Sequence, residues 1–136
     1  HVAFGSKDVQ TVKAFIEAEA YPGPSIIIAY SHCIAHGYDL VHGLDQQKLA
    51  VDTGYWPLYR FDPRRMATGE SPLVLDSPAP KVDLSKYVSN EARYRVVEQT
   101  NRDRYRMLLA NAQREVTTRF SIYEQLAKLA VPVPKQ

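Results

Sequence analysis

The sequence predicts an α/β fold, in which a parallel sheet is followed by a helical hairpin. A strand-like start at 2–4, a helical spacing of apolar residues and the isoleucine run at 26–28 form a strand–helix–strand unit. Such a unit places its two strands parallel, and an unbroken β-branched run is typical of a strand buried on both faces. The pattern becomes helical from Asp83 onward, so we predict an α/β portion over 1–82 and a helical segment packing on it over 83–136.

The elements of the first portion are delimited by their flanking residues. Ser6 is predicted to cap a helix that the Tyr-Pro-Gly-Pro sequence at 21–24 ends. A second, short helix is expected at 46–52, with Gly54 just beyond its end. Short strands are expected at 58–61 and within "PLVLD" at 72–76. The residues predicted to face the core from the two helices are Val9, Val12, Ile16 and Ala20, and then Leu44, Leu49 and Val51.

The helical segment begins at a capping residue. Asp83 or Ser85 is predicted to cap a helix reaching about residue 99, and Asn101 to cap a second one. The second helix carries a long apolar stripe, so the two are expected to form a hairpin that packs on the first portion. The stripe comprises Tyr105, Leu108, Ala112, Val116, Phe120, Tyr123 and Ala127.

Composition narrows the classes of function. The net charge is only +2, with acids interleaved among the 17 Lys and Arg residues, so no nucleic acid partner is expected. The longest apolar run, 26–30, is far shorter than the roughly 20 residues of a membrane span. A single cysteine excludes an internal disulfide and fits a reducing, cytoplasmic compartment. The chain starts within a strand-like "VAF" and without Met, so we expect a piece of a longer protein.

Cys33 is the main candidate for chemistry, since it follows the isoleucine strand at the end where parallel sheets bind ligands. It can act as a nucleophile with a nearby histidine, as a zinc ligand with His36 or His42, or as one thiolate of an iron–sulfur cluster. The fourth reading is a small packed thiol. Spacing does not decide between these alternatives. On an extended backbone the side chains of His32 and Cys33 point apart, and the six-residue separation of His36 and His42 is not a standard zinc spacing.

Longer strings add a resemblance. "YPGPSIIIAYSHCIAHG", "QQKLAVDTGYWPLYRFDP" and "SPLVLDSPAP" occur in this order, and "ARYRVVEQ" and "AQREVTTRFSIYEQLA" follow. Together they resemble the C-terminal end of long single-chain pyruvate:ferredoxin (flavodoxin) oxidoreductases, and the similarity is collinear over most of the chain. The resemblance implies that 1–82 is the C-terminal portion of a parallel-sheet domain that binds thiamine diphosphate.

The resemblance also implies a function. That family binds thiamine diphosphate with Mg²⁺, carries [4Fe–4S] clusters, and converts pyruvate and CoA to acetyl-CoA and CO₂, passing electrons to ferredoxin or flavodoxin. Cys33 then corresponds to the last of four ligands of the cluster nearest the thiamine, with three further cysteines upstream. The parent is expected to be a homodimer. The Gly-Asp-Gly element of the thiamine site is absent from this sequence, so the chain alone is expected to be inactive.

A second hypothesis belongs to a different class of protein. The chain can instead be a non-catalytic α/β interaction module in which Cys33 is a buried thiol.

Overall fold

The computed structural model describes residues 1–133, so the last three residues of the predicted 83–136 segment lie outside it. Within this range, two short strands and five α-helices are joined by three 3₁₀ turns. The elements are α1 (Asp8–Glu19), α2 (Gly43–Asp52), β1 (Tyr59–Phe61), β2 (Leu73–Leu75), α3 (Leu84–Val88), α4 (Ala92–Thr100) and α5 (Arg102–Ala127), with 3₁₀ turns at Ile34–His36, Leu40–His42 and Pro63–Thr68. No helix within residues 1–133 is both long and apolar enough to cross a membrane.

The strands confirm two of the sequence predictions. β1 lies within the strand expected at 58–61, and β2 lies within "PLVLD". They pair antiparallel, with Tyr59 opposite Leu75 and Phe61 opposite Leu73. The turn-rich stretch between them closes this pair, because Asp62 caps the 3₁₀ turn that follows β1.

The first residues of the chain extend this pair on its other side. His1 exchanges backbone hydrogen bonds with Tyr59, and a single parallel bridge joins Val2 to Ala29. The sheet order is therefore the 28–30 segment, the chain start, β1 and β2. One parallel bridge is present instead of a full ladder, so the parallel thiamine-binding sheet remains a prediction, as does the helical hairpin.

The apolar stripe of α1 faces outward, so the predicted inward face of this helix is wrong. Val9, Val12 and Ile16 are 75%, 54% and 61% exposed, whereas the small and polar residues Gln10, Thr11 and Ala14 are buried. The helix also starts without the predicted cap: Lys7, not Ser6, precedes its first turn and makes no capping hydrogen bond with its side chain. The helix packs on the molecule through its small and polar face, and no described residue covers its apolar face.

The isoleucine run at 26–28 is also more exposed than predicted. Ile26 and Ile28 are 87% and 50% exposed, which contradicts the expectation of a strand buried on both faces. In the second helix, Val51 is buried as predicted, but Leu44 is 55% exposed. Gly54 follows the end of α2 with a left-handed backbone, as the sequence predicted.

The core forms where α2 and the helical segment meet. Its largest cluster joins Ala50 of α2, Leu84, Tyr87 and Val88 of α3, and Val116 of α5. A smaller cluster, beside Trp56 and Tyr30, contains Ala3, Val51 and Leu58. Residues of α2, α3 and α5 therefore share one buried cluster.

The helices of the second portion are capped as expected but divided differently. Asp83 Oδ1 accepts from the N–H of Ser85 at 2.7 Å, and Asn101 Oδ1 accepts from the N–H of Arg104 at 2.9 Å. The single helix predicted from Asp83 to about residue 99 is two, because the chain turns after Val88 and buries the Glu91 side chain completely before α4 begins.

A partly buried ion cluster joins α1 to the sheet. The Arg60 guanidinium donates to both carboxylate oxygens of Glu17, at 2.6 and 2.7 Å, and to both of Asp76, at 2.9 and 2.8 Å. Gln10 donates to Asp76 as well, at 3.0 Å. Burial alone would raise the pKa of Asp76, but the hydrogen bonds from Arg60 and Gln10 outweigh it and hold the pKa below its ordinary value.

Substituting Arg60→Met should lower the free energy of unfolding by about 3 kcal/mol, because it leaves the largely buried Asp76 carboxylate without its cation. Urea unfolding followed by Trp56 fluorescence measures this. Lys48→Met is the matched control: its pair with Asp52 lies at the surface, with Lys48 61% exposed, and its removal should cost less than about 0.5 kcal/mol. Equal losses in the two variants would contradict a structural role for the cluster.

The lowered pKa of Asp76 also predicts a pH dependence. Its contribution to stability is complete above the pKa of an unfolded aspartate, about 3.9, and is lost as the pH falls through the lower folded-state value. Below about pH 4, the urea midpoint of the wild-type chain should therefore fall more steeply than that of Asp76→Asn. Parallel curves for the two proteins would show that Asp76 is not the titrating group.

Candidate functional site

Cys33 lies at the start of the first 3₁₀ turn with its thiol exposed. Its backbone is extended, and its sulfur accepts a hydrogen bond from the N–H of Ala35, with 3.4 Å between nitrogen and sulfur. The hypothesis of a buried, packed thiol is therefore wrong.

The chain entering the Cys33 loop is held by two side chains. The Tyr30 hydroxyl lies 2.7 Å from the Tyr87 hydroxyl, to which Arg93 also donates at 3.2 Å. Burial raises the pKa of Tyr30 to about 12, and burial likewise raises that of Tyr87, so both stay neutral at physiological pH. Two residues later, the His32 Nδ1 lies 3.1 Å from the Gln47 side-chain amide of α2.

The chain leaving the loop is fixed at Gly37. Its φ of +73° is in the left-handed region, and its carbonyl accepts from the N–H of Ala92 at 3.1 Å, at the first turn of α4. A Cβ atom at Gly37 would lie 2.5 Å from that of Ala92. Only glycine satisfies both the backbone angle and this close approach.

A buried carboxylate lies beneath the loop. Glu91 is completely buried and accepts from Gln46 of α2 at 3.0 Å and from the Arg93 guanidinium at 2.5 Å. The Nδ1 of His36 lies 3.8 Å from this carboxylate, and that buried nitrogen has no hydrogen-bond partner within residues 1–133. The histidine of the 3₁₀ turn therefore faces a negative charge and not the thiol.

The histidine hypotheses find no support in this arrangement. His36 faces Glu91, and the largely exposed His42 lies 3.5 Å from Asp45. No group of three His, Cys, Asp or Glu side chains within the described residues could hold a metal ion, so Cys33, His36 and His42 are not brought together as a zinc site. The described chain likewise contains no hydrogen bond between a histidine and the thiol, as a Cys–His nucleophile would require.

Residues that support the loop were missed by sequence reasoning. Tyr87 and Glu91 are more than fifty residues from Cys33, and nothing in their local pattern points back to it. Gly37 had a detectable signal, because a glycine directly after a short turn is typical of a left-handed cap. Cys33 itself was found from the single feature that it follows a predicted strand.

The geometry fits one ligand of a cluster. An exposed sulfur on a loop held at both ends is preorganised for binding, and an N–H directed at the sulfur is a feature that tunes the potentials of iron–sulfur centres. Since the sequence has one cysteine, the remaining ligands of such a cluster would come from outside this chain. The residue that would hold the group is therefore Cys33 alone, with Ala35 donating to its sulfur.

Substituting Gly37→Ala should lower the free energy of unfolding by about 2 kcal/mol or more, since it combines left-handed strain with a clash against α4. Gly69→Ala is the matched control, with a φ of +79° but 3.0 Å from its added Cβ to the nearest atom, on the Val133 side chain. It should lose only the strain of about 1 kcal/mol. Urea unfolding measures both, and an equal loss would show that the contact between Gly37 and Ala92 is unimportant.

Comparison with known proteins gives a consistent result. No protein-family model matches the chain. Curated relatives match it over most of its length: a pyruvate-flavodoxin oxidoreductase of Rhodospirillum rubrum is 54% identical over 95% of the chain, and a pyruvate:ferredoxin oxidoreductase of Moorella thermoacetica is 38% identical over 93%. A mitochondrial pyruvate dehydrogenase [NADP(+)] of Euglena gracilis is 40% identical over 86% of the chain and is covered over 7% of its own length.

The match is to one part of much larger proteins. The chain spans about a tenth of the length of the curated relatives it matches, 11% of both the Rhodospirillum and the Moorella proteins. The expectation of a resemblance to this family, formed from the quoted strings, is confirmed. The chain is homologous, over nearly all of its residues, to one segment of the pyruvate-flavodoxin and pyruvate:ferredoxin oxidoreductases.

Proposed function

We propose that this chain is a segment of an oxidoreductase that acts on pyruvate. The observation that carries the proposal is the 54% identity to a pyruvate-flavodoxin oxidoreductase over 95% of the chain. The reaction we propose for the whole enzyme is the oxidative conversion of pyruvate and CoA to acetyl-CoA and CO₂, with the two electrons released passing through [4Fe–4S] clusters to ferredoxin or flavodoxin. Thiamine diphosphate and Mg²⁺ supply the carbon–carbon chemistry, and iron–sulfur clusters supply one-electron transfer.

Within that enzyme, we propose that Cys33 is one ligand of a [4Fe–4S] cluster. Three features support this role: the sulfur is exposed, the loop is held at Tyr30 and Gly37, and the N–H of Ala35 points to the sulfur. A thiolate needs an ordered backbone to ligate a cluster without reorganisation, and these contacts provide it. The Ile34 side chain, 81% exposed, would limit the access of water to a cluster bound beside it.

The buried carboxylate is proposed to act indirectly. Glu91 does not contact Cys33, but it connects α2 and α4 beneath the loop through Gln46 and Arg93. Ala92, the next residue, donates to the carbonyl of Gly37. Glu91 is therefore a positioning residue, which fixes the end of the loop by fixing the start of α4.

The names of the relatives bear on the electron acceptor. The names of the three relatives share pyruvate but differ in the acceptor, which is flavodoxin, ferredoxin or NADP(+). Similar segments thus occur in proteins named for three different acceptors. We propose ferredoxin or flavodoxin for this enzyme, because the relatives with 93% and 95% coverage carry those names.

The chain alone is proposed to be catalytically inactive. It contributes one cysteine and no Gly-Asp-Gly element, so neither the cluster nor the thiamine site can be completed from its own residues. Both need the rest of the polypeptide, which we propose forms a cytoplasmic homodimer.

The role of Cys33 is tested in the whole enzyme that contains this segment, purified without oxygen. Cys33→Ala should lower the iron content by about four atoms per chain, because a cubane cluster is lost with one of its thiolates. After pyruvate and CoA are added, low-temperature EPR should show no reduction of the remaining clusters. These two measurements separate loss of the cluster from loss of activity for another reason.

Ser31→Ala is the matched control, since Ser31 is exposed in the same loop and, within residues 1–133, its hydroxyl bonds only to the neighbouring carbonyl of His32. It should keep full iron and normal reduction. The same result for Cys33→Ala would refute the proposed ligand, and Cys33 would then be an ordinary surface thiol.

A further inference from the structure

A cleft of about 310 Å³ lies between the segment before Ile28 and β1. One side is formed by residues 24–27 and the other by residues 59–63, with His1 at one end. Ala14 and Ala18 of α1 line it, and their small side chains leave the space open. The cleft therefore separates two extended segments, and the first residue of the chain already lies between them.

The backbone hydrogen bonds of Val2 show how a strand would pair with residues 26–28 on one side of the cleft. The N–H of Val2 donates to the carbonyl of Ile28, and the N–H of Tyr30 donates to the carbonyl of Val2, both at 2.9 Å. This is the slanted pattern of a parallel ladder. The next pair of bonds toward the N-terminus would use the Ile26 carbonyl as acceptor and the Ile28 N–H as donor. Neither group has a backbone partner within residues 1–133.

The backbone hydrogen bonds of His1 show how the same strand would pair with β1 on the other side of the cleft. The amine of His1 donates to the carbonyl of Tyr59 at 3.0 Å, and the N–H of Tyr59 donates to the carbonyl of His1 at 3.3 Å. Such an exchange is the hydrogen-bonded pair of an antiparallel ladder, which recurs every second residue. The next pair would use the N–H and carbonyl of Phe61.

The hydrogen bonds between β1 and β2 indicate which backbone groups of β1 face β2 and which face the cleft. Asp62 donates to the carbonyl of Pro72, and Asp76 donates to the carbonyl of Leu58, both at 2.9 Å. Because pairing alternates, Leu58, Arg60 and Asp62 direct their backbone groups toward β2. Phe61 therefore directs its groups into the cleft, as Tyr59 does.

We propose that this cleft takes an extended peptide strand joined to His1, parallel to residues 26–28 and antiparallel to β1. The residue directly before His1 would donate to the Ile26 carbonyl and accept from the Ile28 N–H. The residue before that would exchange both bonds with Phe61. This assignment does not depend on the role of Cys33.

Two observations favour a continuation of the same polypeptide as the occupant. The relatives are about nine times longer than this chain, so ample polypeptide exists to fill the cleft. The terminal amine of His1 is drawn into the sheet, where burial lowers its pKa and the Asp76 carboxylate offsets part of that shift. A neutral peptide N–H would make the same bond to Tyr59 without a charge to desolvate.

The test uses this chain with the added sequence Val-Thr-Val-Thr-Val before His1. Residue-resolved amide hydrogen exchange by NMR is compared with the chain without the addition. The exchange of the Ile28 and Phe61 amides should slow by about tenfold or more, because both enter a ladder. The Tyr30 amide, already bonded to Val2, is the internal reference and should change little.

A second extended chain has proline in the two positions directly before His1, which removes the donors that the cleft requires. Its Ile28 and Phe61 amides should exchange as in the chain without the addition. Equal exchange in all three proteins would overturn the proposal. Protection of these amides in the chain without the addition, lost on dilution, would also overturn it by showing that a second copy fills the cleft.

Discussion

The buried carboxylate of Glu91 is the constraint on which the arrangement around Cys33 depends. A charged group taken fully out of water is tolerated only when donors surround it, and Gln46 and Arg93 supply them. These donors come from α2 and from the first turn of α4, so satisfying the charge fixes the two helices against each other. The Cys33 loop then docks on the start of α4 through Gly37. One buried charge thus determines where the loop ends.

The structure also shows which of its surfaces are incomplete. The apolar stripe of α1, the isoleucines of the 26–30 segment and the cleft beside His1 lie on neighbouring parts of the molecule. Contiguous apolar surface of this kind marks an interaction site. The chain spans about a tenth of the length of its relatives, and we propose that further polypeptide of the same enzyme covers these surfaces. The thiol of Cys33 is exposed as well, and in the proposed cluster the other thiolates would come from outside this chain.

Sequence reasoning identified most elements because their signals are local. Pro and Gly at 21–24 end α1, Asn101 caps α5, and Asp62 with Pro63 stops β1. It assigned the wrong face to α1, because periodicity locates an apolar stripe but does not say whether its partner lies in the same chain. It also joined α3 and α4 into one helix, since the turn between them forms around the buried Glu91, whose partners are distant in sequence.

By itself, the sequence determined the α/β class, the place of Cys33 just after the isoleucine run and the family resemblance, all of which depend on the order of residues along the chain. Tertiary structure decided that the thiol is exposed, that Tyr30 meets Tyr87 and that Gly37 meets Ala92. It also decided that His36 faces Glu91 and is not part of a zinc site. These facts depend on contacts between residues more than fifty positions apart, and the free energy of such contacts arises from packing and burial that no local pattern records.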